Sequence, residues 1–141
     1  MRRTFSRRAA VLAALLALAA ALWLAWQLRP KGYSGFIAMG VEATGYTAQD
    51  GTLTLRLPAA EGTREARLPV RDPALRDALA AGTLDPASVI GVSMTLEIPA
   101  GALRERNVDP GRFQVFYELM TDRWDAYLTI ETIDILNPAP N

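Results

Sequence analysis

Residues 50–57 of the chain read DGTLTLRL. An Asp-Gly pair is typical of a two-residue type I′ turn, because both central residues of that turn need φ > 0. The residues after it alternate strictly, so Leu53, Leu55 and Leu57 lie on one face of a strand. The pattern predicts a β-hairpin with its leucines turned toward a core.

Further strand patterns lie on both sides of this hairpin. Upstream, apolar residues alternate from Gly35 to Ala43. Downstream, residues 64–70 predict a third strand with Ala66, Leu68 and Val70 facing inward. The remaining predicted strands cover residues 89–98, 112–121 and 124–136, with a long polar connection over residues 99–111 and a short turn near Asp122-Arg123.

One short helix is predicted between the third and fourth strands. Asp72 suits the N-cap, Pro73 suits the first helical position, and Gly82 suits the residue after the end. Leu75 and Leu79 are four residues apart and share a face. A helix of about ten residues is not stable alone in water, so these leucines are expected to pack on the sheet.

The predicted order is three strands, one helix and three strands. A mainly β domain with one short helix in this order resembles a small OB-like β-barrel, and a small β-sandwich is the alternative. The predicted domain covers residues 35–136, and a disordered tail is predicted for residues 137–141.

An apolar segment precedes the domain. Residues 9–28 contain one polar side chain, Gln27, and as a helix they span about 30 Å, the thickness of a hydrocarbon core. Four arginines precede the segment, whereas only Arg29 and Lys31 follow it closely. The positive-inside bias therefore places residues 1–8 in the cytoplasm as a basic tail.

This segment is interpreted as an uncleaved signal-anchor, the transmembrane helix of a single-pass membrane protein. A linker over residues 29–34 follows it. A cleaved signal peptide is the rival reading, because Ala17-Leu18-Ala19 fits a small-x-small cleavage site. Arginine greatly outnumbers lysine, which is typical of bacteria with GC-rich genomes. The predicted location is the bacterial inner membrane, with most of the chain in the periplasm.

Composition excludes several functions. From Tyr33 onward there are nine arginines and fifteen acidic residues, a net charge of −6, which argues against nucleic-acid binding. The chain has no cysteine and no histidine. It therefore lacks thiolate nucleophiles, the commonest general base and the commonest metal ligand. Neither an enzymatic activity nor a cofactor nor a metal is predicted.

The candidate binding residues are aromatic and basic. Five aromatic residues lie close together in sequence, and Trp124, beside a turn, is expected to be the most exposed of them. A buried core is the other interpretation of this group. The charged loop over residues 104–109 is either a docking loop or a solvated connection. The residues predicted to bind a partner are Phe116, Tyr117, Trp124, Tyr127, Arg104 and Arg106.

The plan of a cytoplasmic tail, one helix and a small periplasmic β barrel is similar to that of membrane-anchored OB-type haem chaperones of cytochrome c maturation. Their function needs a histidine that attaches haem. This chain contains none, so the resemblance does not extend to haem binding.

The function predicted from the sequence is non-enzymatic. The chain is expected to be an accessory, assembly or scaffold factor, tethered to the membrane, that docks onto an envelope protein complex. The alternative is a ligand-binding barrel that holds a small apolar molecule, a lipid headgroup or a sugar-like molecule on its aromatic face.

Overall fold

The computed structural model describes residues 6–136. The predicted disordered tail over residues 137–141 and most of the predicted basic tail lie outside this range. The chain divides into two compact units, one ending at Lys31 and one beginning at Gly32.

Helix α1 (Arg7–Gln27) makes up most of the first unit. The Ser6 hydroxyl caps it by accepting a hydrogen bond from the Ala9 N–H, at 3.2 Å. Between Arg8 and Gln27 its side chains are apolar on every face and none is buried, and the helix is long and apolar enough to cross a membrane or to be a signal sequence. It begins two residues before the predicted segment and ends one residue earlier, with Leu28 as its C-cap.

The second unit is rich in β-sheet, as predicted. Two antiparallel three-stranded sheets form, one with the order β1-β5-β6 and the other with the order β2-β3-β4. The described strands are β1 (Tyr33–Gly40), β2 (Glu42–Thr47), β3 (Thr52–Pro58), β4 (Thr63–Pro69), β5 (Val89–Ile98) and β6 (Leu128–Ile135). Within residues 6–136 these strands do not close into a barrel. The first of them begins at Tyr33, inside the segment predicted as a linker.

The alternation after Gly35 belongs to two strands, although the pattern predicts one. Val41 separates β1 from β2, is buried, and donates its N–H to the carbonyl of Ile90 at 3.0 Å. β1 pairs with β5, whereas β2 pairs with β3. The chain therefore passes from one sheet to the other at Val41. A parallel bridge between Val70 and Ile130 also links the two sheets.

The hairpin of β2 and β3 is confirmed, but its turn is not the predicted one. Gly51 has φ +67°, and its N–H donates to the carbonyl of Thr47 at 2.9 Å. Asp50 does not have positive φ, because Asn107 is the one non-glycine residue in that region among residues 6–136. The loop over residues 48–51 therefore needs one left-handed residue, which the glycine supplies.

Helix α2 (Pro73–Ala81) has the predicted caps. The Asp72 carboxylate accepts from the Ala74 N–H at 2.9 Å, and Gly82 ends the helix in the left-handed conformation. Leu79 is buried and Leu75 half-buried. The core contains the three leucines of β3, the inward residues of β4, and one face of β5 and of β6: Leu53, Leu55, Leu57, Ala66, Leu68, Val70, Val92, Met94, Leu96, Ile98, Leu128 and Ile130.

The segment between β5 and β6 differs most from prediction. Helix α3 (Ala100–Glu105) lies within the predicted loop, and helix α4 (Val115–Glu118) replaces the predicted strand over residues 112–121. Val115 and Leu119 are two alternation steps apart, but they are also four residues apart, so a helical turn places them on one face too. In the described structure residues 112–121 do not pair with any strand, and a helical turn forms within them instead. The described part of the second unit therefore has three α-helices, where one was predicted.

Candidate functional site

Trp124 is the centre of the segment that joins α3 to β6. Its side chain is 0% exposed, although the sequence predicted it to be the most exposed of the aromatic residues. Its indole N–H donates to the Glu118 carboxylate at 2.6 Å, so its one polar group has a partner. Exposure was predicted because Trp124 lies beside a turn. In the structure its ring belongs to the hydrophobic core.

Three other aromatic rings form a chain of contacts with this indole. Phe113 lies edge-on to Trp124 at 5.6 Å between ring centroids, and Tyr33 of β1 lies against Phe113 at 4.3 Å. Tyr127 lies 6.3 Å from Trp124 on the other side. We call Tyr33, Phe113, Trp124 and Tyr127 the Trp124 cluster. Trp124 is fully buried, and Tyr33, Phe113 and Tyr127 are half-buried against the core.

Arg64 fixes the segment in place from β4. Its guanidinium binds both oxygens of the Asp125 carboxylate, at 2.7 and 2.9 Å. It also donates two hydrogen bonds to the carbonyl of Leu119, at 2.8 and 3.2 Å. Most of this ion pair is buried. The sequence analysis missed Arg64, because no local pattern distinguishes an arginine whose partners are more than fifty residues away.

Phe116 and Tyr117, which we call the aromatic pair, lie on the outside of α4. Their side chains are 67% and 69% exposed. Their neighbours Val115 and Leu119 face inward, half-buried and buried respectively. Leaving a large apolar side chain in water forgoes about 1.5–3 kcal/mol of burial free energy. The fold therefore holds two large aromatic side chains outside its core on one short helix.

Arg106 lies against the Trp124 cluster. Its guanidinium carbon is 4.7 Å from the centroid of the Trp124 ring and 6.0 Å from that of Tyr127. These distances are typical of cation–π contacts. Arg123, which the sequence analysis did not select, also lies over Trp124 at 5.4 Å.

The end of α3 explains the position of Arg106. Asn107 follows it in the left-handed conformation, with φ +53°, and the Val108 N–H donates to the carbonyl of Leu103 at 2.9 Å. This is the hydrogen-bond pattern of a Schellman C-cap, in which asparagine is the usual substitute for glycine. The cap turns the chain directly after Arg106. Arg104, two residues earlier, is exposed and lies over no aromatic ring of the described residues.

The predicted binding residues therefore divide into three groups. Trp124, Tyr127 and Arg106 are brought together. Phe116 and Tyr117 are exposed. Glu118, the last residue of α4, accepts a hydrogen bond from the Trp124 indole N–H and so connects their helix to this group. Arg104 lies apart from the rings.

No protein-family model, no curated protein and no solved structure matches this chain.

A separate open cavity of about 450 Å³ lies where β1 gives way to β2. Its walls are mostly apolar, and the pair Arg56–Glu42 lies at 3.5 Å among its lining residues. No aromatic side chain lines it, so it is not the aromatic face that was predicted to hold a small ligand. Within residues 6–136 no group of three acidic side chains is placed to hold a metal ion.

Proposed function

We propose that this chain is a non-enzymatic accessory or scaffold factor of the bacterial inner membrane, and that its β domain docks onto a protein complex of the cell envelope. The observation that carries the proposal is the aromatic pair, held outside the core by a well-anchored segment. Exposed aromatic residues next to a packed centre are characteristic of the residues that dominate protein interfaces.

The anchoring of the pair matters as much as its exposure. The inward face of α4 is held by buried Leu119, whose carbonyl binds Arg64, and by Glu118, which binds the Trp124 indole. A side chain on a fixed backbone loses less conformational entropy on binding than one on a mobile loop. Phe116 and Tyr117 are therefore suited to bind a partner without rearrangement of the domain.

We also propose that the two sheets correspond to an open OB-type arrangement. Only Val41 separates β1 from β2. If these two count as one bent strand, the domain has five strands, with α2 between the third and the fourth. The parallel bridge from Val70 to Ile130 joins the third strand to the fifth. In OB folds the loop between the last two strands takes part in binding, and here that loop carries the aromatic pair.

The proposed topology places residues 1–8 in the cytoplasm and the β domain in the periplasm, with α1 as an uncleaved anchor. Because the chain has no cysteine, a single introduced thiol reports on one position. In spheroplasts, a membrane-impermeant maleimide is expected to label Ala60→Cys, in the exposed loop after β3, and to label Ser6→Cys only after lysis. Labelling of Ser6→Cys in intact spheroplasts would contradict the orientation. Loss of the residue 6 thiol from the mature chain would identify α1 as a cleaved signal sequence.

Docking through the aromatic pair is tested with a photoreactive amino acid in the full-length chain, expressed in its native host. Benzoylphenylalanine at Tyr117 is expected to form a discrete adduct with an envelope protein on irradiation. Phe116→Ser in the same chain is expected to lower the adduct yield about tenfold or more, because a buried aromatic anchor contributes about 2 kcal/mol or more at an interface.

Phe36 is the matched control for this experiment. It is an aromatic side chain with the same 67% exposure, but it lies on β1. Phe36→Ser is expected to leave the Tyr117 adduct unchanged, and the photoreactive group at Phe36 is expected to give no adduct of that mass. No adduct from Tyr117, or an equal one from Phe36, would remove the support for docking at α4.

A further inference from the structure

We infer that Arg106 is a receptor for a carboxylate of the docking partner, an Asp or Glu side chain that reaches its guanidinium. The inference rests on the proposed function, since it concerns a partner that the aromatic pair is proposed to engage. It specifies the chemical group of the partner that Arg106 contacts. The observation behind it is an exposed guanidinium that is held by two aromatic rings and has no acceptor of its own among residues 6–136.

The ring contacts of Arg106 leave its N–H donors without an acceptor among residues 6–136. Its guanidinium carbon lies 4.7 Å from the Trp124 centroid and 6.0 Å from the Tyr127 centroid, and a cation at such distances is attracted by the ring quadrupole. The planar fork of an arginine matches a planar carboxylate through two parallel hydrogen bonds. Because the contacts with the two rings already restrict the side chain, less conformational entropy is lost when an anion binds.

The other cation on this indole already has an anion nearby. Arg123 lies over Trp124, but its guanidinium is 4.0 Å from the Glu118 carboxylate, which also accepts the indole N–H. In the described structure the Arg106 side chain forms neither a hydrogen bond nor an ion pair. Of the two arginines that contact the Trp124 cluster, Arg123 therefore faces a carboxylate and Arg106 does not.

A protein carboxylate suits Arg106 better than an anionic lipid surface does. The domain has a net charge of −6, and its whole field repels a surface that is densely anionic. A single carboxylate at contact distance responds mainly to the nearest charges, since at physiological salt the field of distant ones is screened over about 8 Å. Two arginines lie over this indole, whereas within residues 6–136 one carboxylate is paired with them, that of Glu118 at 4.0 Å from Arg123.

The receptor is tested first without the partner. The full-length chain in zwitterionic micelles is titrated with N-acetylglutamate amide at constant ionic strength, and the NMR signals of the arginine Nε–H groups are followed. The Arg106 signal is expected to shift saturably, at a probe concentration several-fold lower than any shift of Arg104. Arg104 is the matched control, because it lies two residues away in the last turn of α3, is exposed, and contacts neither the Trp124 ring nor the Tyr127 ring.

Equal shifts of Arg106 and Arg104 would overturn the inference, because contact with the rings would then make no difference to how an arginine binds a carboxylate. A response to inorganic phosphate or to vesicles of phosphatidylglycerol, with none to the carboxylate probe, would overturn it in favour of a phosphate or lipid receptor. Neither result bears on docking by the aromatic pair, whose test is the adduct from Tyr117.

The second arm uses that adduct. Arg106→Gln is expected to lower its yield about tenfold, the usual loss when one charged hydrogen-bonding partner is removed. Arg106→Lys is expected to restore only part of the yield, because an ammonium keeps the charge but not the fork. Arg104→Gln is expected to change nothing.

Peptide mapping of the adduct then identifies acidic residues of the partner near the crosslink. Arg106→Glu is expected to abolish the adduct, and an acid-to-arginine change in the partner is expected to restore it. An adduct that survives both Arg106→Gln and Arg106→Glu at full yield would overturn the carboxylate contact while leaving the docking proposal intact.

Discussion

Replacement of Trp124 by Ala is expected to lower the free energy of unfolding of the β domain by about 3–5 kcal/mol, the range found when a fully buried aromatic side chain is removed. The indole is 0% exposed, lies against Phe113 and Tyr127, and satisfies the Glu118 carboxylate. The substitution leaves a large cavity and takes from Glu118 the donor that it binds. A small domain has only about 5–15 kcal/mol of stability, so this change removes a large part of it.

The measurement is a urea titration of the full-length chain in detergent micelles, followed by hydrogen exchange in β3, whose leucines are completely buried. Phe116→Ala is the matched control. It removes an aromatic side chain from the same segment, but one that is 67% exposed, and is expected to change the free energy of unfolding by no more than about 0.5 kcal/mol. Equal effects of the two substitutions would mean that Trp124 is not the packing centre of this segment.

The burial of Trp124 also limits which substitutions can identify residues that contact the partner. A Trp124 variant that loses partner binding would not identify a contact residue, since the segment that carries α4 would be disturbed as well. Phe116 and Tyr117 can be changed without that effect because they lie outside the core. Arg106 is exposed and can also be changed.

Replacement of Arg64 by Ala is expected to destabilise the domain by about 2–4 kcal/mol. The side chains of Arg64 and Asp125 are only 14% and 23% exposed. Removal of the arginine leaves Asp125 as a partly buried charge without its partner, and it leaves the Leu119 carbonyl without a donor. Breaking a buried pair on one side costs about 3–5 kcal/mol, and the residual exposure here reduces that figure.

A double-mutant cycle separates the ion pair from the rest. Because Arg64→Ala with Asp125→Ala leaves no unpaired charge, the double variant is expected to be more stable than Arg64→Ala alone. Arg67 on the same strand is the control, since it pairs with Asp50 at 3.0 Å with both side chains about half exposed. Arg67→Ala is expected to cost no more than about 1 kcal/mol. If both arginine variants destabilise equally, burial is not the source of the Arg64 effect.

Some elements could be predicted because their causes are local. The caps of α2 depend on Asp72, Pro73 and Gly82, which lie next to the bonds that they satisfy. The inward leucines of β3 follow from strict alternation. The hairpin was predicted from the Asp50-Gly51 pair, although the turn type was wrong, because Gly51 also supplies the left-handed residue of a longer loop.

The α4 segment could not be predicted because its pattern fits two periods at once. Val115 and Leu119 satisfy both alternation and a helical turn. What decides between them is whether a partner strand is available, and the position of every other strand determines that. The burial of Trp124 has the same origin, since it requires Arg64 to bind residues 119 and 125 from another strand.

The sequence by itself therefore determined the apolar N-terminal helix, a sheet-rich domain, the capped helix α2 between β4 and β5 along the chain, and the lack of any cysteine or histidine chemistry. Each of these depends on residues that are neighbours along the chain, or on composition alone. Only the tertiary structure decided which aromatic residues are buried and which are exposed, and which arginines lie against the rings. Those outcomes depend on side chains that are distant in sequence and meet only when the sheets have formed, because packing and ion pairing act through space.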